Sequence, residues 1–171
     1  ALNATLHLQS SNGTRSLPLE DFFIEYGKQD LELGEFVASV EIPLKANNQN
    51  FKAYKISKRF DQDISALCGA FTLDLTDDQI QDIRICFGGM AGTPMRAAKT
   101  EQFLKGANWN MSTIEQAMKV MADDYAPLSD MRASHTYRLS AAQNLLKKFY
   151  LETTSPETLT RLVGAGRIAH A

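Results

Sequence analysis

Four charges within six positions, Lys58, Arg59, Asp61 and Asp63, interrupt the strand-like stretch YKISKRFDQDIS that runs from Tyr54 to Ser65. Loops between strands are usually turned by Gly, Asn or Pro, and this one contains none. Two readings fit such a corner. It is a solvated loop or a salt-bridge cluster pinning two strands, or it is a polar lid at the mouth of a site. In the second case its charges would tune a bound group's electronics or gate a second substrate. The stretch PLSDMRAS poses the same choice. Ser134 there is a good helix N-cap, and Met131 and Arg132 would project from a loop.

The remaining reactive side chains form no constellation. His7, His135 and His170 lie in unrelated segments without ligand spacing, which fits structural or surface histidines and no metal site. Cys68 and Cys86 fall on strands expected to be neighbours and read as small buried residues, with nothing nearby to lower a thiol pKa. The glycines of FGGMAGTP lack dinucleotide-loop spacing and read as a tight strand-to-helix connection. No carboxylate pair is placed for acid–base work, so no catalytic residue is assigned.

Composition narrows the class further. The 171 residues are 44% hydrophobic and 22% charged, ordinary for a soluble fold with a core. A net charge of −2 gives no support to nucleic acid or anionic membrane partners. No apolar run approaches the roughly 20 residues needed to cross a bilayer. Two cysteines are too few for a disulfide framework, which points to a reducing, cytoplasmic setting. The opening ALNATLHLQS has no initiator Met and enters strand alternation at once. That is expected of a piece of a longer polypeptide, with part of any site lying elsewhere.

The elements that must position these residues follow from periodicity. Residues 1–18 read as a hairpin turned at Asn12-Gly13, and LEDFFIEY as a short amphipathic helix or turn carrying Phe22, Phe23 and Tyr26. In FVASVEIPL, strict alternation would place Phe36, Ala38, Val40 and Ile42 on a core face and Val37, Ser39 and Glu41 on the other, with Pro43 ending the strand. KANNQN is the best boundary candidate. FKAYKISK, ALCGAFTLDL and IQDIRICFGG then read as three strands, the last two a hairpin across TDDQ. Their odd positions Leu67, Phe71, Leu73, Leu75, Ile83, Ile85 and Phe87 require a covering layer.

Three helical stretches follow to supply that layer. RAAKTEQFLKG is stopped by Gly106. STIEQAMKVMADDY opens on a capping box of Ser112 and Glu115. SHTYRLSAAQNLLKKFYLETT stripes Leu139, Ala142, Leu145, Leu146 and Phe149 on one side. Strands first and helices after predict an α+β fold, an antiparallel sheet of three or more strands under about three helices.

FKAYKISKRFDQDISALCGAF, ICFGGMAGTPMRAAKTEQFLKG and PLSDMRASHTYRLSAAQNLLKKFYLET together resemble the C-terminal part of the FAD-binding region of bacterial xanthine dehydrogenase small subunits. The wider family is the molybdenum hydroxylases, carbon monoxide dehydrogenase flavoproteins included. The likeness spans about residues 5 to 152, and KRFDQDIS with PLSDMRAS favours the xanthine dehydrogenase branch. It implies a division into residues 1–47, the truncated end of an α+β FAD-binding subdomain, 48–152, a flavoprotein C-terminal domain, and 153–171, a tail. In such enzymes a molybdenum centre hydroxylates a purine, iron–sulfur clusters relay electrons, and FAD passes them to NAD. The 2Fe–2S clusters and the molybdenum cofactor lie elsewhere in the complex, on upstream domains of the same subunit and on a molybdenum-binding large subunit.

The resemblance also implies site residues. Val37 resembles an aliphatic position packed on the flavin ring, often Leu in relatives, and Lys55 resembles a lysine contacting FAD, where its cation would favour the anionic reduced form. Residues Arg59 to Ile64, including Asp61, Gln62 and Asp63, match a mobile loop beside the flavin that affects NAD access. Tyr26 and Met131 resemble positions lining the NAD side. The chain is therefore expected to be part of an FAD-dependent oxidoreductase, inactive alone, covering the flavin and shaping the NAD entrance during xanthine or hypoxanthine oxidation. The competing readings are the same module in another molybdenum hydroxylase, such as a carbon monoxide dehydrogenase, and a non-catalytic scaffold that has lost the cofactor.

Overall fold

A computed structural model describes residues 1–44, 49–59 and 63–160. The larger sheet is antiparallel, in the order β6 (Gln49–Ile56), β7 (Leu67–Thr76), β8 (Gln79–Gly88) and β9 (Met95–Arg96). The β7–β8 hairpin closes where predicted, through Asp77 and Asp78 at φ of 48° and 60°. Both adopt the left-handed conformation that short hairpin turns demand and that Asp tolerates. β9 was not anticipated, because a two-residue strand is too short to leave a periodic signal. It pairs with β8 through Cys86↔Arg96 and Phe87↔Met95.

One face of this sheet carries the core. Leu67, Phe71, Leu73, Ile83, Ile85 and Phe87 are buried as their alternation requires, and β6 adds Tyr54 and Ile56 opposite Gly69 and Leu67. Phe71 stacks on Phe149 at 5.2 Å between ring centroids and meets Phe87 edge-on at 5.5 Å, geometries favoured by the ring quadrupole. Only glycine fits at 69, since a Cβ there would lie 2.6 Å from the Phe87 ring.

The covering layer is α2 (Ala98–Leu104), α3 (Met111–Val120) and α4 (His135–Thr154). Gly106, at φ of 79°, ends the α2 segment as expected. α4 is capped by Ser134, whose hydroxyl accepts from the Tyr137 N–H at 3.2 Å, and buries Ala142, Leu145, Leu146 and Phe149. Two details depart from expectation. The α3 cap is Asn110, whose side-chain oxygen accepts from the Thr113 N–H at 3.0 Å, whereas Ser112 sits inside the first turn. The buried stripe of α4 also contains Arg138, only 3% exposed.

The smaller sheet has the order β2 (Gly13–Pro18), β1 (Thr5–Ser10), β5 (Phe36–Glu41). Its hairpin turns on Ser11 and Asn12, with Gly13 already paired to Ser10. Between β2 and β5 come one helical turn, α1 (Leu19–Phe22), and the short pair β3 (Phe23–Glu25) and β4 (Lys28–Gln29). Leu6, Leu8 and Phe22 form its core.

The pairing of β1 with β5 slips between His7 and Leu8. Ser39 faces His7 but Val37 faces Leu8, so Ala38 is the extra residue of a bulge. The slip reverses the alternation. Val37 and Val40 share the face of Leu8 and Leu6, while Ser39 and Glu41 lie with His7, whose ring reaches Glu41 at 3.1 Å. The expectation that Val37 stands opposite Val40 is therefore corrected, because strict alternation cannot register a bulge. The two sheets meet through Glu20 of α1, which accepts from Arg84 at 2.7 Å and from Arg96 at 3.2 Å.

The corrected α3 cap has a measurable consequence. Asn110→Ala should cost about 1 kcal/mol, the usual loss when an N-cap is removed, while Ser112→Ala should stay within about 0.5 kcal/mol of the parent. Denaturant titration of the two variants checks this, and the reverse order would restore Ser112 as the cap.

Candidate functional site

The charged corner leaves β6 after Ile56, whose carbonyl accepts from the Ala66 N–H at 2.8 Å as the chain enters β7. Its described charges serve local structure. The Asp63 carboxylate accepts from the Arg59 backbone N–H at 2.9 Å and from its guanidinium at 3.1 Å. Arg59 accordingly holds the Asp63 carboxyl below its ordinary range, and Asp63 raises Arg59 in turn. The Ser57 hydroxyl donates to the Arg59 carbonyl at 2.8 Å. Lys58 donates to the Met131 carbonyl at 2.6 Å, joining the corner to the PLSDMRAS loop far along the chain. Asp61 and Gln62 lie outside the described residues.

The segment before α4 is organised around Asp130. Its carboxylate accepts from the N–H groups of Arg132 at 2.8 Å and Ala133 at 3.2 Å, and from the Arg138 guanidinium at 2.7 Å. The same guanidinium donates to the carbonyls of Ala66 and, at 2.7 Å, Gly89. Three connections at one end of the sheet thus converge on one side chain: the corner, the FGGMAGTP turn and the loop before α4. Sequence reasoning missed Arg138, although its signal was an arginine in register with the apolar stripe of Ala142 and Leu145.

The other predicted residues are placed as follows. Met131 and Tyr26 are 87% and 88% exposed. The Tyr26 Cβ stands 3.6 Å from where a Cβ on Gly92 would be, which sets the Tyr26 corner against the FGGMAGTP turn. Lys55 is exposed on the sheet face opposite the helices, across from Cys68, and has no polar partner among the described residues. Val37 is 40% exposed on the edge strand of the other sheet. The segment leading into its strand is held by Arg15, which grips the Glu35 carboxylate with two bonds of 2.8 Å and Asp30 through its carboxylate at 3.0 Å and its carbonyl at 2.8 Å. That grip holds the Glu35 carboxyl down to about 2. The structure therefore gathers Lys58, Arg59, Asp63 and Met131 into one cluster, with Lys55 one turn of strand behind it and Val37 on a separate element.

The face of the larger sheet away from the helices carries small or thiol side chains, Ala53, Cys68, Ala70 and Cys86, in place of the expected burial of both cysteines. The N-terminal segment covers part of it, the Ala1 carbonyl accepting from the Thr72 hydroxyl at 3.0 Å and the Ala1 amino group donating to Cys86 Sγ at 2.9 Å. Cys68 is exposed and Cys86 half-buried, because the strands present them away from the helices. This face borders a groove of roughly 1150 Å³, to which Val40, Ile42, Phe51 and Ala70 contribute apolar surface, while its charged lining mixes Arg84 and Arg96 with acids that include Glu20, Asp82 and Glu101. A surface of small residues with Lys55, a cation without a polar partner among the described residues, at its end suits a planar apolar group carrying acceptor or anionic edges.

Comparison with known proteins places this geometry. Residues 52–153 match the CO dehydrogenase flavoprotein C-terminal domain, and residues 1–45 match the FAD binding domain in molybdopterin dehydrogenase. Among curated relatives, the putative xanthine dehydrogenase FAD-binding subunit of Escherichia coli is 30% identical over 90% of this chain and 53% of its own length. The glyceraldehyde dehydrogenase medium chain of Sulfolobus acidocaldarius is 30% identical over 89% and 53%. Xanthine dehydrogenase 1 of Arabidopsis thaliana is 32% identical over 88% of this chain but 12% of the plant protein. The chain thus spans about half the length of the bacterial and archaeal relatives. Quinoline 2-oxidoreductase from Pseudomonas putida superposes with a TM-score of 0.76 at 29% identity, covering 88% of this chain and 52% of that one. Carbon monoxide dehydrogenase from Hydrogenophaga pseudoflava reaches 0.81 at 24% identity over 86% and 51%, a likeness of fold.

Asp130 makes the loop before α4 acid-sensitive. The Arg132 N–H and then the Arg138 guanidinium, working against partial desolvation, hold its carboxyl at about 2 against an ordinary 3.8. A depressed carboxyl stabilises the fold above its unfolded pKa, and that contribution disappears as pH falls from about 4 through about 2. Glu35 and Glu152, both held near 2, lose stability in the same window. Asp130→Asn should remove only the Asp130 share, so its denaturation midpoint should fall less steeply over that range. Parallel pH profiles for variant and parent would contradict the assignment.

Proposed function

The chain belongs to the CO dehydrogenase flavoprotein C-terminal domain family, and on that premise we propose that it forms part of the FAD module of a molybdenum hydroxylase. The observation that carries this reading is Lys55, a cation without a polar partner among the described residues, exposed next to Cys68 and Ala53 on the sheet face away from the helices and three residues before the charged corner. These residues fit a flavin. Lys55 would hold an electron-rich edge of the ring system, and Val37 would offer an aliphatic surface to it. FAD, when bound, takes electrons from the enzyme's metal centres and passes them as hydride to an acceptor.

What the chain itself contributes is positioning and electrostatics. The Lys55 ammonium favours negative charge on whatever occupies the face, which lowers the cost of reduction there. Val37, set three residues before Val40 on the same face by the bulge at Ala38, would exclude water from its side of a bound ring. Lys58 and the Arg59–Asp63 pair hold the corner beside Lys55. Asp61 and Gln62 belong to the same loop by sequence. Tyr26 and Met131, both exposed, lie on loops flanking that end and would line the approach of the acceptor.

The finer reading is a xanthine dehydrogenase type of enzyme that oxidises a purine and delivers electrons to NAD. It is supported by KRFDQDIS and PLSDMRAS, which the structure brings together through Lys58 and Met131. Its partners would be the upstream FAD and iron–sulfur domains and a molybdenum-binding subunit. A cytoplasmic site fits, and no described helix is long and apolar enough to cross a membrane. The similarity to a glyceraldehyde dehydrogenase medium chain, equal at 30%, favours a second reading, the same module serving another hydroxylase.

Two substitutions in the assembled enzyme test the flavin face. Lys55→Met should weaken FAD retention about tenfold, the scale of one charge-assisted hydrogen bond, while turnover with an artificial acceptor at the molybdenum site persists. Val37→Asp should empty the flavin site, because the ring would bury an unpaired charge. FAD absorbance per chain after gel filtration measures both. Full FAD occupancy in both variants would refute the placement.

A further inference from the structure

A buried arginine is an expensive way to fill space on the first turns of α4. The Arg138 side chain is 4% exposed and its Nε has no hydrogen-bond partner. Its carboxylate partner among the described residues, Asp130, is 40% exposed, so most of the compensation comes from two backbone carbonyls. A leucine or methionine would serve the core without the desolvation cost of a guanidinium, which amounts to several kcal/mol. What a hydrophobic residue could not do is hold three separate chain segments at fixed distances with one rigid planar fork.

The three segments meet at the end of the larger sheet from which the charged corner leaves. The Ala66 carbonyl closes the charged corner, the Gly89 carbonyl opens the FGGMAGTP turn, and Asp130 shapes the loop whose Met131 carbonyl receives Lys58. The corner is thus held at both ends by the segment 130–138, at Lys58 through Met131 and at Ala66 through Arg138. Gly89 supplies independent support. It has a φ of 86°, and a Cβ on it would lie 2.7 Å from the Ala66 carbonyl oxygen and 2.9 Å from the Arg138 guanidinium. The backbone at 89 is therefore shaped to let the fork approach.

Resting on the FAD-module reading, we infer that Arg138 is a positioning residue: together with Asp130 and Gly89 it fixes where the ends of the charged corner stand and so sets the access of the electron acceptor to the flavin. Arg138 touches neither cofactor nor acceptor in this role. Its effect reaches the site through Ala66 and Lys58.

The test uses the assembled, FAD-loaded enzyme, with hydrogen–deuterium exchange measured alongside steady-state kinetics. Asp130→Asn alters the clamp at its exposed end, which avoids the folding failure expected if the guanidinium is deleted. Arg138→Lys keeps the charge and one of the contacts. Asp130→Asn should speed amide exchange about tenfold in residues 63–66 and 129–133 and leave the second half of α4 unchanged. The KM for the acceptor should rise about tenfold with kcat within about twofold, and turnover with an artificial acceptor at the molybdenum site should hold. Arg138→Lys should show smaller changes of the same kind. Unchanged exchange in the corner, uniform loosening of α4 and the sheet, or faster corner exchange with an unchanged KM would each overturn the inference. A parent enzyme that holds no FAD would instead overturn the flavin reading, and the exchange pattern would still decide whether the clamp exists.

Discussion

The guanidinium of Arg138, buried beneath one end of the larger sheet, constrains the three connections that close that end. An ionised group removed from water is tolerated only where partners replace its hydration. Here those partners are the Ala66 and Gly89 carbonyls and the Asp130 carboxylate. Each belongs to a different connection, so satisfying one side chain fixes three loops relative to one another. The helix that carries Arg138 is anchored independently, by the Ser134 cap and by Leu145, Leu146 and Phe149 in the core. The loops consequently inherit their positions from the most rigid part of the domain.

A second arginine does comparable work on the smaller sheet. Arg15 grips Glu35 and Asp30 and so presents the start of β5, with Val37 two residues beyond. Glu20 then ties the two sheets through Arg84 and Arg96, and Glu101 completes the network by holding Arg96 at 2.5 Å and the Ile85 N–H at 2.7 Å. The planar fork of arginine suits such junctions, since it meets two acceptors at set angles where lysine offers a point charge. The elements proposed to face the flavin are loops and edges, which have little packing of their own. Charged forks take the place of that packing.

The division between what was legible in sequence and what was not follows physical lines. The covered face of β7 and β8 was readable because Phe71, Leu73, Ile83 and Ile85 alternate with polar or small residues, and burial on one face enforces that alternation. α4 was readable for the corresponding reason at helical spacing. Register was not readable: the bulge at Ala38 turns Val37 to the face of Leu8, and nothing in FVASVEIPL records which strand residue lacks a partner. The Asn110 cap was hidden behind a Ser112–Glu115 pattern that satisfies the same rule two residues late. Arg138 was overlooked because periodicity counts apolar positions, and a buried cation enters only through partners distant in sequence. The family resemblance led to Val37, Lys55 and the corner, yet it is the contacts that show how those parts are held.

The charged corner itself illustrates why both readings of it were needed. Lys58, Arg59, Asp61 and Asp63 sum to zero formal charge, and Arg59 with Asp63 forms a close pair. The field of a neutral cluster falls off as that of a dipole, faster than the field of a single ion, and solvent and salt screen it within about 10 Å. Lys55, on β6 three residues before Lys58, has no polar partner among the described residues. A corner whose Arg59 and Asp63 pair with each other can shape the edge of the proposed site sterically without opposing the charge of Lys55. On this view the salt-bridge cluster and the edge of the site are the same structure, and pairing its charges is what permits it to be there.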